Sequence, residues 1–414
     1  EATDEQTNSS REGVLAAAVG MQQLYSTTGL RWIIETPAIT TREAAITTTF
    51  LNMIELEEGG TALPNFNTNT DGMWSTNYRV LKVAEDIEAS VEGLNLEPGT
   101  QSGLVAFAKL FKALAVGSLS QNFEQVILQT NQDNNATFVS RQEGFEFAIQ
   151  QLTEAASLIS ATPVSSEFSS EVTAGNIDLT NTIQAMLARY NLFAGNYDAA
   201  ITAANNVDQS SVSIFAYDLL NLNPIWARVY QNSAPNWKPR DRFGLPEEFD
   251  LDPADGRLDF YLIPLDETNQ NGLPIEDLAG FFDENTEAIP VYLPDEMNLI
   301  IAEANLRKAN PDIEAAVAAL NLVRTDNNDP LGVNANLAPY TGEMTVSAVL
   351  KEIYKNRRAE LFLQGLSLED SRRFDRPQPS LEPGNFEEER NRNFYPYPER
   401  ERNSNPNTPA DPAI

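Results

Sequence analysis

The stretch of residues 179–207, LTNTIQAMLARYNLFAGNYDAAITAANNV, constrains the fold of this chain most strongly. Two helix-forming runs meet at Gly195, the small residues Ala188 and Ala200 lie on either side of it, and Tyr197 follows shortly after. A glycine lets the chain turn sharply, and small side chains let two helices approach closely. The spacing therefore predicts a helical hairpin.

Helical patterns of the same kind recur along the chain. Residues 102–119 and 141–159 form one candidate pair, and residues 294–324 repeat the hairpin from a helix start at Pro294. Further helices are predicted over residues 13–25, 41–56, 74–94 and 346–364, the last of them ended by Gly365. Together these patterns predict a mainly α fold built from helix pairs like those of tetratricopeptide repeats.

Four segments lack a regular period. Residues 57–72 are rich in Gly, Asn and Thr and are predicted to form a surface loop, whereas residues 208–293 combine frequent Pro and Asp with scattered aromatics. A long irregular insertion in a helical scaffold usually carries function, so we predict that 208–293 forms the ligand-facing side. Residues 375–414 are predicted to form a C-terminal strap, and the polar residues 1–12 to be flexible. We expect all of them to belong to one domain, residues 1–414.

The composition excludes several classes of function. The 414 residues include no cysteine and no histidine, which excludes disulfides, thiolate nucleophiles, zinc sites with those ligands and general-base catalysis by histidine. The formal net charge of −32 argues against a nucleic-acid partner, because phosphates are bound by clustered lysine and arginine. No run of about 18 apolar residues is present, so a membrane-spanning helix is not expected.

No sequence feature favours catalysis or a cofactor. With 60 acidic residues, chance pairs of carboxylates are inevitable and cannot identify a glycosidase. No nucleophile elbow, phosphate loop or metal-binding helix motif is present. Residues 250–256 and 324–332 have carboxylates at calcium-like spacing, but neither supplies the glycine and terminal glutamate of an EF-hand loop, so ordinary turns are expected. We therefore expect a protein that is not an enzyme and has no cofactor.

A dense cluster of arginines and carboxylates occupies residues 355–374, KNRRAELFLQGLSLEDSRRF. Arg357 and Glu360 are three residues apart on a predicted helix and are expected to pair on one face. Arginine suits buried pairing because its guanidinium can bind a carboxylate through two hydrogen bonds. The cluster is therefore predicted to be a structural ion-pair network that ties the last helix to its neighbour.

This cluster resembles the C-terminal signature of the SusD/RagB family of outer-membrane lipoproteins. The matching positions are Arg357, Arg358, Glu360, Leu361, Gly365, Asp370 and Arg373, whereas Asn356 and Gln364 replace two family glutamates. Two further segments resemble the family, through Glu296, Leu299, Ala302, Glu303, Ala304, Asn321, Val323 and Arg324, and through Tyr395, Pro396, Pro398, Glu401, Asn405 and Pro406. Trp74 and Tyr78 resemble its early Trp-x-x-x-Tyr helix. The resemblance runs from about residue 10 to residue 407 and is strongest in the last third.

The resemblance implies a SusD-like fold with four tetratricopeptide-like helix pairs, long irregular loops and an insertion. It implies a lipoprotein on the cell surface that binds a polysaccharide or oligosaccharide and delivers it to a SusC-like TonB-dependent transporter of the outer membrane. The lipidated N-terminal cysteine that would anchor it would have to precede the first residue, as in a mature or trimmed chain. Capture of peptides for a RagA-like transporter is the alternative within this architecture. An intracellular tetratricopeptide scaffold and a glycoside hydrolase are the alternatives from other classes.

Candidate ligand-binding residues are aromatic, because sugar rings present apolar C–H faces, and they need polar neighbours for the hydroxyl groups. The predicted residues are Trp226, Tyr230, Asn236, Trp237 and Arg240 in the insertion, with a contribution from Phe66 and Asn67 in the loop before it. The alternative for the two tryptophans is that they pin the insertion to the scaffold. Trp32, Trp74 and Tyr78 are expected in the core.

Overall fold

The computed structural model of this chain describes residues 10–130 and 133–414. Helices in the first half are α1 (Arg11–Leu24), α2 (Leu30–Thr40), α3 (Leu51–Glu58), α4 (Thr68–Val91), α5 (Pro98–Asn122), α6 (Arg141–Ala161), α7 (Ser166–Glu171), α8 (Leu179–Ala194) and α9 (Tyr197–Asn205). Those in the second half are α10 (Pro224–Val229), α11 (Gly256–Tyr261), α12 (Pro294–Arg307), α13 (Ile313–Arg324), α14 (Val346–Glu360), α15 (Ser367–Arg373) and α16 (Glu399–Ser404). A π-helical turn, Tyr25–Gly29, joins α1 to α2.

Four helix pairs form the scaffold: α1 with α4, α5 with α6, α8 with α9, and α12 with α13. Neighbouring pairs also touch, since α4 packs on α5, α6 on α8 and α9 on α12. The pairs therefore form one continuous stack, in which each pair buries its apolar face against the next. The prediction of a mainly α fold with four tetratricopeptide-like pairs is confirmed.

The α8–α9 hairpin turns at Gly195, as predicted. Gly195 has a left-handed backbone conformation with a φ of 80°, which glycine reaches without the steric cost of a side chain. The amide of Asn196 donates to the carbonyl of Asn191 at 2.8 Å and so satisfies a carbonyl left free at the helix end. Ala188 and Ala200 are fully buried, as the close approach of the two helices requires.

Helix α5 lies at the centre of the scaffold and packs against α4, α6 and α8. By length and composition it is apolar enough to cross a membrane, which differs from the expectation drawn from the sequence. In the structure, 83% of the most apolar 18-residue stretch of α5 is buried inside the protein. Its neighbours therefore cover its apolar surface, and Gly117 lets the ring of Tyr190 on α8 lie directly against it.

Short strands in the described residues form four two-stranded antiparallel ribbons. The strands are β1 (Ala44–Ile46), β2 (Gln125–Val126), β3 (Val139–Ser140), β4 (Ile214–Phe215), β5 (Trp237–Pro239), β6 (Leu262–Thr268), β7 (Pro274–Leu278) and β8 (Ile289–Pro290). They pair as β1–β5, β2–β3, β4–β8 and β6–β7. In the first ribbon Ile46 lies opposite Trp237, which joins the insertion to the segment after α2.

Two predictions near the first ribbon are wrong. Residues 41–56 do not form one helix, because Ala44–Ile46 pair with the insertion and α3 begins only at Leu51. The strand partner overrides the local helical composition there. Residues 68–72, expected in a loop, form the first turn of α4, which Asn67 caps through its side-chain oxygen.

Two helix boundaries also differ from the prediction. Helix α1 begins at Arg11, within the segment expected to be flexible, because the side chain of Ser10 accepts a hydrogen bond from an amide of the first turn. Residues 1–9 lie outside the described residues. The predicted helix that was to end at Gly365 ends at Glu360, and the positive φ of Gly365 serves the turn that leads into α15.

The arginine–carboxylate cluster is buried and structural, as predicted. Arg357 on α14 binds Asp370 on α15 through hydrogen bonds of 2.8 and 2.9 Å. Arg373 on α15 binds Glu303 on α12 through bonds of 2.6 and 3.0 Å. These bidentate pairs lock three helices together and satisfy each other's charge in the interior.

The expected pairing of Arg357 with Glu360 is wrong. Glu360 instead accepts a 3.2 Å hydrogen bond from Arg257, which also binds Asp255 at 2.7 and 2.9 Å. All of these side chains are buried. The insertion is thereby fastened to the last long helix, because Arg257 lies on α11 and Glu360 on α14.

The C-terminal segment after α15 runs back over α2, α3 and α4. The side-chain amide of Asn391 donates to the carbonyls of Leu56 and Glu57, both at 2.9 Å. The hydroxyl of Tyr395 lies 2.7 Å from the hydroxyl of Thr40. This segment also contains α16, although no helix was expected there.

Candidate functional site

A buried carboxylate, Glu35 on α2, joins the two segments that the sequence indicated for ligand binding. It accepts hydrogen bonds from Arg228 Nε at 2.6 Å, from Trp237 Nε1 at 2.8 Å and from Asn69 Nδ2 at 3.1 Å. Its fourth neighbour is Arg31 at 3.8 Å. We refer to these five residues as the Glu35 cluster. The cluster holds α10, β5 and the start of α4 against α2.

Trp237 and Asn236 lie inside this arrangement, and their predicted role as ligand contacts is wrong. The Trp237 side chain is fully buried, because its ring packs in the core and its N–H binds Glu35. Asn236 is also buried, and its backbone amide donates to the carbonyl of Arg228 at 3.0 Å. Both residues therefore pin the insertion to the scaffold, which was the alternative for the tryptophan.

The remaining predicted residues of the insertion are half-buried. The Tyr230 hydroxyl donates to the carbonyl of Leu278, and burial raises the pKa of Tyr230 to about 12. Arg240 lies 3.5 Å from Asp241, and burial lowers the pKa of its guanidinium. Trp226, on α10, keeps part of its ring accessible. A role of these three side chains in binding stays a prediction.

Phe66 and Asn67 have different positions although they are adjacent. The Phe66 side chain is 61% exposed. Asn67 is buried, donates to the carbonyl of Asn52 at 2.8 Å and to Glu55 at 2.9 Å, and accepts from the amide of Asn69 at 3.0 Å. The prediction that Asn67 touches ligand is therefore wrong, because its polar atoms are used to start α4 and to present Phe66.

Three accessible aromatic residues lie close in sequence to members of the Glu35 cluster. Each lies within three residues of a cluster member: Trp32 beside Arg31, Trp226 near Arg228, and Phe66 near Asn69. A span of three residues covers at most about 11 Å, so the backbones of these aromatics are held close to the cluster. The Glu35 cluster thus ties together three segments of the chain, each of which carries an accessible aromatic residue.

Trp32 is half-buried, which differs from the expected core position. The guanidinium of Arg31 lies 4.0 Å from its ring centroid. Its edge packs against Gly72 of α4, where a Cβ atom would lie only 2.5 Å from Trp32 Cε2. Gly72 therefore makes room for the half-buried ring of Trp32. The apolar residues around Trp32 in the sequence predicted a core position instead.

A cleft begins at Phe66 and runs between the start of α4 and α16. Its outer part has a volume of about 600 Å³ and is lined by Asn65, Phe66, Thr68, Asp71, Glu399, Arg400, Asn403 and Ser404. It continues into an inner cavity of about 220 Å³, which shares Asp71, Arg400 and Ser404 and adds Trp74, Tyr78, Gln129, Thr130 and Asn134 among others. The lining combines one exposed aromatic ring with amides, hydroxyls and a few charges, which is a composition suited to a polyhydroxylated ligand.

The polar groups of the cleft are fixed by hydrogen bonds. Arg400, whose side chain is 75% exposed, binds Asp71 at 3.1 Å. Trp74 is buried, as expected, and its N–H donates to Glu401 at 3.2 Å. The hydroxyl of Tyr78 accepts from the amide of Ile127 at 2.7 Å, and burial raises the pKa of Tyr78. The floor of the cleft is therefore preformed.

The sequence did not identify Asp71, Arg400 and Asn403 as site residues. Asp71 and Arg400 are separated by 329 positions and meet only because the C-terminal segment folds back. The one available signal was the Tyr-Pro-x-Pro strap, which places α16 on the scaffold but does not say which loop it meets.

The turns with calcium-like spacing use their carboxylates locally. Asp252 accepts from the amide of Ala254 at 2.9 Å, and Asp329 accepts from the amide of Leu331 at 2.7 Å. Such bonds are those of ordinary Asx turns. In the part of the chain that the structure describes, no group of three or more acidic residues could hold a metal ion.

Comparisons with known proteins give structural but not sequence matches. No protein-family model and no curated protein matches this sequence. A SusD superfamily protein from Bacteroides thetaiotaomicron is 18% identical, with a TM-score of 0.74 over 97% of this chain and 100% of its own. A SusD-like carbohydrate binding protein from Bacteroides fragilis is 15% identical, with a TM-score of 0.72 over 97% and 100%. A SusD homolog from Bacteroides thetaiotaomicron is 12% identical, with a TM-score of 0.73 over 100% and 99%.

The helix pairs, the short ribbons and the cleft define a helical-scaffold protein with long irregular segments between its helices. These matches extend over nearly the whole of each chain. The chain has the SusD-like fold, and the resemblance seen in its C-terminal third is confirmed at the level of the fold.

Proposed function

We propose that this protein is a member of the SusD family that binds a neutral polysaccharide or oligosaccharide without transforming it. The observation that carries the proposal is the cleft at Phe66, where an exposed aromatic ring stands beside amide and hydroxyl groups. A sugar stacks its apolar face on such rings while its hydroxyls bond to the polar lining. The SusD-like protein from Bacteroides fragilis, which shares the fold, is described as carbohydrate binding.

Binding of the glycan is tested by affinity electrophoresis in gels that contain neutral polysaccharides. We expect retardation of the wild type and loss of at least about half of it in Phe66→Ala, because one stacked ring contributes on the order of 1 kcal/mol. Leu322→Ala is the matched control, since Leu322 is 59% exposed on α13 and lies outside the cleft lining. Equal retardation of the three proteins would show that the cleft is not the site.

Capture of peptides is the second candidate, because amide-lined clefts can also bond to a peptide backbone. The amides of Gln129, Asn134 and Asn403 supply such donors and acceptors. A mixture of defined neutral peptides, tested by isothermal titration against wild type and Phe66→Ala, separates the two. Binding of peptides with no retardation by any polysaccharide favours this candidate.

The proposed place of the protein is the cell surface, held to the outer membrane by a lipid on a cysteine upstream of this chain and partnered with a SusC-like TonB-dependent transporter. The resemblance of residues 355–374 and of the C-terminal strap to the signatures of SusD/RagB lipoproteins supports this assignment. Metabolic labelling with palmitate in the native cell, and co-purification of a large β-barrel protein with the tagged chain, test the anchor and the partner. Absence of reducing-sugar release by the purified protein tests the non-enzymatic role.

A further inference from the structure

A separate cavity lies between the end of α12, the start of α14 and the segment after α15. Its volume is about 500 Å³, and its lining includes three cations and three aromatic rings: Arg307, Lys351, Arg376, Phe249, Tyr354 and Phe374. None of these residues lines the Phe66 cleft. Three cations around one cavity are unexpected in a chain with a net charge of −32.

The aromatic rings of this cavity support the cations. The ammonium group of Lys351 lies 5.2 Å from the ring centroid of Phe249, and the guanidinium of Arg376 lies 4.6 Å from the same centroid. The guanidinium of Arg307 lies 4.9 Å from the centroid of Phe374. Contacts of this kind hold a cation in place without neutralising its charge.

Carboxylates pair with both arginines of the cavity but leave donor groups free. Arg307 Nε binds Glu303 at 2.7 Å, whereas Arg376 binds Glu389 through Nε at 2.9 Å and also binds Glu248. The bonds that the structure gives these two arginines use Nε and Nη2, so in residues 10–130 and 133–414 their Nη1 groups have no hydrogen-bond partner. Each Nη1 group can therefore still donate to a ligand.

Lys351 has no ion pair with a carboxylate in the described parts of the chain. Asp375 is the only acidic residue in the cavity lining. The start of α14 adds a further positive potential, because Val346 and Ser347 line the cavity in the first helical turn, where Thr345 caps the amide of Ala348. The groups that can meet an anion in this cavity are therefore the ammonium group of Lys351 and the Nη1 groups of Arg307 and Arg376.

We propose that this cavity binds the carboxylate of an acidic sugar, as in a uronate residue of an oligosaccharide. A planar carboxylate matches the guanidinium groups of two arginines, and a volume of about 500 Å³ accommodates a sugar ring. The assignment to a sugar rests on the proposed function, whereas the assignment to a carboxylate rests on the charges of the lining alone. The cavity is a second site, distinct from the Phe66 cleft.

The proposal is tested by isothermal titration with trigalacturonate and with its fully methyl-esterified form. We expect the acid to bind at least about tenfold more tightly than the ester, because hydrogen bonds to charged groups are the stronger ones. Lys351→Glu should weaken binding of the acid by at least about tenfold, since it replaces the unpaired cation by an anion. Lys82→Glu on α4 makes the same charge change away from the cavity and should leave the affinity unchanged.

Four results would overturn the proposal, and the first three concern the cavity itself. They are equal binding of acid and ester, absence of any binding by the wild type, and equal losses in Lys351→Glu and Lys82→Glu, which would show only general repulsion. Phe66→Ala separates this site from the cleft, because it should weaken retention by neutral polysaccharides and leave trigalacturonate unaffected. Loss of trigalacturonate binding in Phe66→Ala but not in Lys351→Glu would place the acid in the cleft instead.

Discussion

Replacement of Glu35 by glutamine should destabilise the protein and disturb the proposed site together. The wild-type carboxylate is fully buried and accepts from three donors, Arg228, Trp237 and Asn69. Glutamine keeps the shape but offers one carbonyl oxygen and turns an N–H₂ group toward groups that are themselves donors. At least one donor and the charge of Arg228 then lose their partner.

The magnitude follows from the geometry of the cluster. Breaking a buried ion pair by removing one partner costs roughly 3–5 kcal/mol. A neutral donor left unsatisfied costs roughly 1–3 kcal/mol, but the Arg228 side chain is 17% exposed and can recruit water, which reduces the total. We expect Glu35→Gln to lower the free energy of unfolding by about 4 kcal/mol. Guanidinium denaturation followed by tryptophan fluorescence measures it, because Trp237 reports directly on the cluster.

Arg31→Gln is the control for this prediction. Arg31 is half-buried and lies 3.8 Å from the same carboxylate, so its removal should cost less than about 1 kcal/mol. Retardation in polysaccharide gels should fall in Glu35→Gln under native conditions. A loss of less than about 1 kcal/mol in Glu35→Gln would refute the role of the cluster as the support of the site.

Two further predictions concern a titrating group and a close contact. Burial raises the pKa of Asp295 to about 7. The folded state therefore keeps a proton on Asp295 that the unfolded state releases above about pH 4. The free energy of unfolding should decline between about pH 4 and pH 7 and stay constant above that range. Asp295→Asn should remove this decline and be more stable than the wild type at pH 8 by up to about 4 kcal/mol, but not at pH 4, as measured by denaturation at each pH. Gly72→Ala should displace the Trp32 ring, because the new Cβ at position 72 would lie 2.5 Å from Trp32 Cε2. The same substitution should lower retardation by polysaccharides. An unchanged fluorescence spectrum with unchanged retardation would contradict that role.

Much of the scaffold could be predicted because its signals are local. Small residues around Gly195, the proline at the start of α12 and the periodic apolar residues of α4 each specify a helix or a turn within a few residues. The segment 41–56 failed for the opposite reason. Ala44–Ile46 become a strand only because Trp237–Pro239, almost two hundred positions away, supply the hydrogen-bond partners.

The candidate site depended on contacts that no local pattern contains. The sequence around Trp237 is typical of an exposed aromatic platform, yet the Trp237 N–H donates to the buried carboxylate of Glu35 on α2. Phe66 was identified correctly as exposed, but Arg400, which faces the same cleft, comes from a strap that the sequence could place only roughly. Paired charges between distant elements decide which aromatics remain accessible, and a sequence alone does not specify those pairs.

The distribution of arginine gives the two proposed sites opposite preferences. The chain has 28 basic against 60 acidic residues, and in the described part seven arginines are buried: Arg42, Arg189, Arg257, Arg357, Arg358, Arg390 and Arg392. Twelve acidic residues are buried in the same part of the chain, so the accessible charge stays strongly negative and polyanions are repelled over most of the surface. The outer cleft, with Asp71 and Glu399 against Arg400, shares this sign and therefore favours neutral sugars. The cavity at the start of α14 is lined by three cations and one carboxylate, so an acidic sugar should enter it in preference to the cleft.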